Sequence, residues 1–184
     1  MTLPANFESS FEWHALNCHP VCLSPHLMRV RAGIARHEDS LLLRYEVAGD
    51  IQSIRIPAIA QPSRQDELWR HTCAELFITD DKSTGYAEYN FSPSLRWAAY
   101  FFSGYRQDMK LLTTKPPQLE QSADQSRLVI AATIHMPEQY CGVAIHAGLS
   151  MVIENSDGAC SYWALKHDSP RPDFHRRENW ICSL

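Results

Sequence analysis

The sequence predicts an all-β protein, an antiparallel two-sheet β-sandwich of jelly-roll kind. Apolar and polar residues alternate with period two over most of the 184 residues. Clusters of Gly, Pro, Asn, Asp and Ser punctuate the alternating runs, and almost no segment carries the apolar stripe of an amphipathic helix. In the longest run, Val143, Ile145, Ala147, Leu149, Met151 and Ile153 stand against Ala144, His146, Gly148, Ser150 and Val152. One face of this strand is wholly apolar, which places it near the centre of a sheet.

Leu27 to Arg36 alternates in the same way, with Met28, Val30, Ala32 and Ile34 inward and Arg29 and Arg31 outward. Leu41 to Val47 follows after the charged turn His37-Glu38-Asp39-Ser40, so the two runs predict a hairpin. Further strands are expected at Ser53 to Ile56, Cys73 to Ile78, Gly85 to Phe91, Arg96 to Phe102, Leu128 to Ile134 and Ser161 to Leu165. Ser63 to Thr72 has helix-forming composition at Gln65 to Arg70 and suits a single turn entering the next strand. Met109 to Asp124 contains Lys115-Pro116-Pro117 and reads as a long loop, because consecutive prolines cannot donate to a ladder.

A chain of this length can bury one good core, and no Pro/Gly/Ser-rich linker divides it, so one domain over 1–184 is expected. The net charge is −4, with no local run of Lys and Arg. That removes the electrostatic basis for nucleic-acid binding. No window approaches the roughly 18 apolar residues of a membrane span, and the first ten residues lack both a basic leader and an apolar stretch. A cytoplasmic location is therefore expected, with Cys18, Cys22, Cys73, Cys141, Cys160 and Cys182 as free thiols. Their spacing matches no zinc ribbon. Nothing in the sequence speaks to oligomeric state.

The segment from Arg64 to Tyr105 interleaves apolar platforms with bidentate polar groups, a mixture suited to a flat, hydroxyl-rich ligand. Trp69, Arg70 and Trp97 are candidates for it, the two rings as stacking platforms. For Trp97 the alternative is core, since it alternates with Ala99 and Phe101. On the strand through Phe91, the side chains of Tyr86, Glu88, Asn90 and Ser92 share one face, and Ala87, Tyr89 and Phe91 share the other. Glu88 and Asn90, opposite Glu75 and near Arg96, would form a polar patch in which Asn90 is the preferred ligand contact. A solvated sheet face is the plainer alternative. Trp163 and Trp180 are read as structural.

Lys166 to Arg177 is a proline-stiffened loop carrying His167, Asp173 and His175, and loops of that kind line sites. Metal ligation by these three lacks any HExxH or Cys/His spacing to support it. Haem ligation through Met28, Met109 or Met151 has as its alternative the gap-filling role of methionine in cores.

Taken in order, Asp66-Glu67-Leu68-Trp69, Glu75-Leu76-Phe77-Ile78 and Tyr86-Ala87-Glu88-Tyr89-Asn90-Phe91-Ser92-Pro93 resemble the strand signature of type 9 carbohydrate-binding modules and the wider DOMON-like superfamily. Arg96 to Tyr100, Tyr162 to His167 and Pro172 to His175 extend the resemblance toward a bacterial group of single-domain DOMON-like proteins. It implies a β-sandwich that holds a ligand without catalysis, a sugar between aromatic side chains in type 9 modules. It requires no cofactor, though it admits a structural calcium. The expectation is a domain that binds a small polar ligand, a sugar or sugar derivative. The alternatives are a protein-interaction sandwich and a glycosidase using Glu75 and Glu88 as its carboxyl pair.

Overall fold

A computed structural model describes residues 11–22 and 27–184. Thirteen strands form among them: β1 (Glu12–Cys18), β2 (Leu27–His37), β3 (Ser40–Gly49), β4 (Ser63–Arg64), β5 (Cys73–Thr79), β6 (Tyr86–Phe91), β7 (Arg96–Phe102), β8 (Lys110–Leu111), β9 (Gln118–Ala123), β10 (Arg127–His135), β11 (His146–Glu154), β12 (Cys160–Ala164) and β13 (Cys182–Ser183). Pairing runs in the order β4-β7-β6-β5-β11-β12-β1-β2-β3-β10-β9, with β13 added to β11 and β8 to β7. All pairs are antiparallel except β4 with β7.

The expectation of an all-β, mostly antiparallel chain holds. The division into two separate sheets does not, because β1 joins the halves. Its Glu12 to Leu16 pair with β2, while Asn17 and Cys18 pair with β12. The result is one strongly curled sheet whose flanks face each other. Ala32, Ile34, Leu43 and Ile130 from one flank share a core with Leu76, Ile78, Tyr89, Phe91, Leu149 and Met151 from the other. Across that core the Tyr45 hydroxyl donates to the Glu75 carbonyl at 2.7 Å, a buried polar tie between flanks.

Period-two alternation explains most of the pattern. The β2–β3 hairpin turns at His37↔Ser40 through Glu38, whose φ of 51° is left-handed. The long alternating run becomes β11, hydrogen-bonded on both sides, with Ile145 to Ile153 contributing the expected inward residues. Val143 is exposed and lies before the strand. Met28 falls at the β2 irregularity between Leu27 and Arg29, and its side chain lies outside the described residues.

Two expectations need correcting. Ser53 to Ile56 is not a strand: Asp50 caps a 3-10 turn over Ile51–Ser53 by accepting from the Gln52 backbone at 3.2 Å, and only Ile54 makes a bridge, to Asn155. Met109 to Asp124 is not all loop: β8 forms before the prolines, and β9 begins just after them as an edge strand. β9 turns only Leu119 and Gln121 toward the core, and one apolar residue among polar neighbours is too short an alternation to read as a strand. The six cysteines are all free thiols.

The outer face of the β7-β6-β5-β11 flank is covered too. Phe77, Tyr86, Phe102 and Trp180 cluster there, with Phe174 packed against them. Trp180 stacks on Phe77 at 5.4 Å and donates to the Phe174 carbonyl at 2.8 Å. That approach requires Gly148, since a Cβ there would lie 2.1 Å from the Trp180 ring. Gly148→Ala should therefore displace Trp180 and loosen the C-terminal loop, at about 1 to 3 kcal/mol. A lowered melting temperature with earlier proteolysis within 166–181 is the expected result, and melting and cleavage unchanged from the parent would show that the loop does not depend on this contact.

Candidate functional site

Between the outer face of this flank and three covering segments lies a cavity of about 570 Å³, lined by Trp69, Arg70, Glu75, Glu88, Phe102, Arg106, Met109, Val152, Tyr162, Pro172, Phe174 and His175. Alternation sets its floor. In β5 the inward Ala74, Leu76 and Ile78 leave Glu75 and Phe77 on the outer side, and in β6 the inward Ala87, Tyr89 and Phe91 leave Tyr86, Glu88 and Asn90 there. The register sets Glu75 beside Asn90 and Phe77 beside Glu88, so the two glutamates lie diagonally across neighbouring strands. Val152 and Tyr162, paired between β11 and β12, extend the floor.

The 3-10 turn Leu68–Arg70 supplies the first wall. Half-buried Trp69 meets Tyr100 edge to face at 5.7 Å, and the Tyr100 hydroxyl donates to Asp66 at 2.7 Å. Arg70 pairs with Glu67 at 2.9 Å. The second wall follows β7, where Arg106 has a φ of 53° and pairs with Asp173 at 2.9 Å while the Tyr105 hydroxyl donates to the same carboxylate at 2.5 Å. The third wall is the C-terminal loop, with Pro172, Phe174 and His175. The second and third walls are thus tied together through Asp173, whose pKa is held down by those two bonds against the opposing effect of burial.

The His175 ring lies edge-on to Phe77 and Phe102, each at 5.1 Å. Tyr86 accepts from the Arg106 backbone at 3.2 Å, so its own proton can go to His175 Nδ1 at 2.6 Å, leaving Nε2–H toward Glu88 at 3.8 Å. That last contact is not an ion pair. Burial, reinforced by Arg106, pushes His175 down to about 4. Burial likewise pushes Glu88 up to about 7, against the Asn90 hydrogen bond and Arg106, and pushes Glu75 well above the carboxylate range with Glu88 reinforcing it.

Glu75 and Glu88 are only 3% and 4% exposed. Glu88 accepts from the Asn90 side chain at 2.7 Å, whereas no hydrogen bond reaches the Glu75 carboxyl group among the described residues. Raised in this way, each carboxyl group keeps its proton to higher pH than an ordinary carboxylate, and a protonated carboxyl can donate as well as accept, as a sugar hydroxyl can.

Of the residues singled out in the sequence, Trp69, Arg70, Glu75, Glu88 and His175 meet at this cavity. Asp173 stands behind its wall as the anchor of Arg106. Asn90 is fully buried and holds Glu88 instead of lining the space. Trp97 points the other way, into the core, under the Arg64 guanidinium at 4.4 Å. Arg96 hydrogen-bonds Ser63 and lines a separate depression with Ser92 and His71. His167 bonds the Asn17 carbonyl at 2.9 Å beside His19, apart from the Asp173 pairing.

Among the described residues no three His, Cys, Asp or Glu side chains come together to hold a metal ion. Met151 is core and Met109 lines the cavity. Sequence reasoning missed Arg106, Phe102, Val152, Tyr162 and Phe174 as lining residues. Tyr162 and Phe174 stood within the motif that carried the resemblance. Arg106 lay in an irregular stretch where no periodicity shows which way a side chain faces.

No family model matches the sequence, and no curated protein sequence matches it. Among solved structures the chain is similar to a candidate carbohydrate-binding protein from Bacteroides uniformis, with 15% identity and a TM-score of 0.68 over 97% of this chain and 88% of that one. It is also similar to a family 9 carbohydrate-binding module from Caldicellulosiruptor kristjanssonii. In the complex with cellotriose the identity is 9% and the TM-score 0.53, over 87% and 75% of the two chains. In the complex with glucose these are 9% and 0.51, over 86% and 76%. The expected likeness to type 9 modules thus holds in three dimensions, as a likeness of fold.

The opposed shifts of Glu88 and His175 predict a pH signature. Glu88, raised from 4.5 to about 7, makes stability fall as pH rises through that window, because the unfolded chain releases the proton first. His175, lowered from 6.5 to about 4, makes stability fall as pH drops through its own window. Glu88→Gln keeps an oxygen acceptor for Asn90 and removes the first effect. It should stabilise the fold by on the order of 2 kcal/mol near pH 8 and hardly at all near pH 4. Equal effects at both pH values in denaturant melts would show that Glu88 titrates normally.

Proposed function

We propose that the chain is a non-catalytic carbohydrate-binding domain occupying residues 1–184, its curled β-sheet of the type 9 kind, acting in the cytoplasm. The observation that carries this reading is the composition of the cavity: Trp69, Tyr162, Phe174 and Phe102 offer ring surfaces, while Glu75, Glu88, Arg70, Arg106 and His175 offer directional polar groups around about 570 Å³. A pyranose presents the matching pattern, with an apolar C–H face and a hydroxyl rim. The family 9 module of similar fold, solved with glucose and with cellotriose, supports the same ligand class.

The placement of Glu75 and Glu88 on one cavity also meets the first requirement of glycoside hydrolysis. That chemistry needs one carboxyl protonated and the other ionised as nucleophile or base. Here burial raises both and outweighs the Arg106 charge that acts on each, so binding without turnover is the reading adopted.

A panel of mono- and disaccharides screened by thermal shift tests it, because a ligand that binds only the folded chain raises the melting temperature by mass action. A sugar that binds should also change tryptophan fluorescence through Trp69. Trp69→Ala should weaken that sugar by about 1 to 1.5 kcal/mol, roughly tenfold, with the fold retained. Affinity unchanged by Trp69→Ala would move the site elsewhere, and release of free sugar from nitrophenyl glycosides would replace binding with hydrolysis.

A further inference from the structure

We propose that the sugar accepted by this cavity carries a positively charged amine, and that its ammonium group sits at the carboxyl groups of Glu75 and Glu88. The inference rests on the carbohydrate reading and narrows it to amino sugars. It comes from comparing the buried acids of the molecule. Four glutamates are buried among the described residues: Glu46, Glu75, Glu88 and Glu154. Glu46 is met by the guanidinium groups of Arg31, Arg44 and Arg127. Glu154 is met by Arg55 at 2.9 Å and His71 at 2.7 Å. Glu75 and Glu88 have no such partner.

The nearby cations are committed elsewhere. Arg106 pairs with Asp173, Arg70 pairs with Glu67, and His175 accepts a hydrogen bond from the Tyr86 hydroxyl on Nδ1, burial favouring its neutral form. Glu75 is 3% exposed and lines the cavity, and its carboxyl group has no hydrogen bond or ion pair within the described residues. The fold therefore holds two acids side by side at a space large enough for a sugar, and the Arg106 charge that acts on both is already paired with Asp173.

A neutral hydroxyl does not need two acids, since amides or a single carboxylate would serve it with less repulsion. An ammonium group has three donors, enough to bridge both carboxyl groups, and it would supply the positive charge that two neighbouring ionised carboxylates need. Trp69, Tyr162 and Phe174 line the same space, and an aromatic ring attracts a cation that reaches its face.

Isothermal titration of the full chain with matched pairs tests this directly: glucosamine against glucose, galactosamine against galactose and mannosamine against mannose, with each N-acetyl derivative as the uncharged amine control. At least one amino sugar should bind more than about tenfold tighter than its hydroxyl counterpart, a difference of about 1.4 kcal/mol. N-acetylation should abolish the gain, and Glu75→Gln and Glu88→Gln should each collapse the amine-to-hydroxyl ratio toward one, with cooperative melting showing both variants folded. If neutral sugars bind as well as their amino counterparts, or if the amine preference survives both substitutions, the inference is overturned and the carbohydrate reading stands. Binding of no sugar in either series overturns both.

Discussion

Two carboxyl groups kept from water organise the outer face of this protein. Strand alternation obliges β5 and β6 to send Glu75 and Glu88 away from the core, and on an open sheet they would be ordinary solvated acids. Here the turn at Leu68–Arg70, the segment after β7 and the C-terminal loop close over them. Desolvation and mutual repulsion then favour the protonated forms, and the rest of the site follows from that constraint. Asn90 is buried to hold one of them, and His175 is held neutral beside it.

The cover persists because it is stitched at several points. Trp180 lies flat over Gly148 and bonds the Phe174 carbonyl, which fixes the C-terminal loop to the sheet. Asp173 joins that loop to Arg106 and Tyr105, and Tyr86 joins it to the sheet through His175. Further along, Arg177 donates to the carbonyls of Ser83 and Asp80 between β5 and β6. The cavity is thus a property of long-range contacts between chain-distant segments, and its shape depends on a few polar ties as much as on apolar packing.

That division explains what the sequence disclosed. Alternation is a local signal, so β2, β3, β5, β6, β7, β10, β11 and β12 were legible, as was the side of β6 on which Glu88 lies. Which outward residues would be covered was not legible, because covering depends on segments far away in sequence. Asn90 and Glu88 share a face, yet only Glu88 reaches the space. Trp97 and Trp69 looked alike as platforms, but Trp97 sits at an inward position of β7 and Trp69 on an irregular turn. Likewise β1 shows no clean period because it serves both flanks, and its role as the joint between them emerges only from pairing.

The protonation state of the carboxyl pair can be observed without any ligand. An infrared spectrum of the full chain near pH 6, compared with those of Glu75→Gln and Glu88→Gln, separates the carbonyl stretch of a protonated carboxyl group from the bands of an ionised one. Protonated-carboxyl intensity that diminishes in each variant is the expected result, since burial holds Glu75 and Glu88 above their ordinary range. Spectra near pH 6 that show only ionised carboxylates, identical in that carbonyl region across the three proteins, would mean that water or a cation reaches the pair, and the electrostatic basis of the site would be wrong.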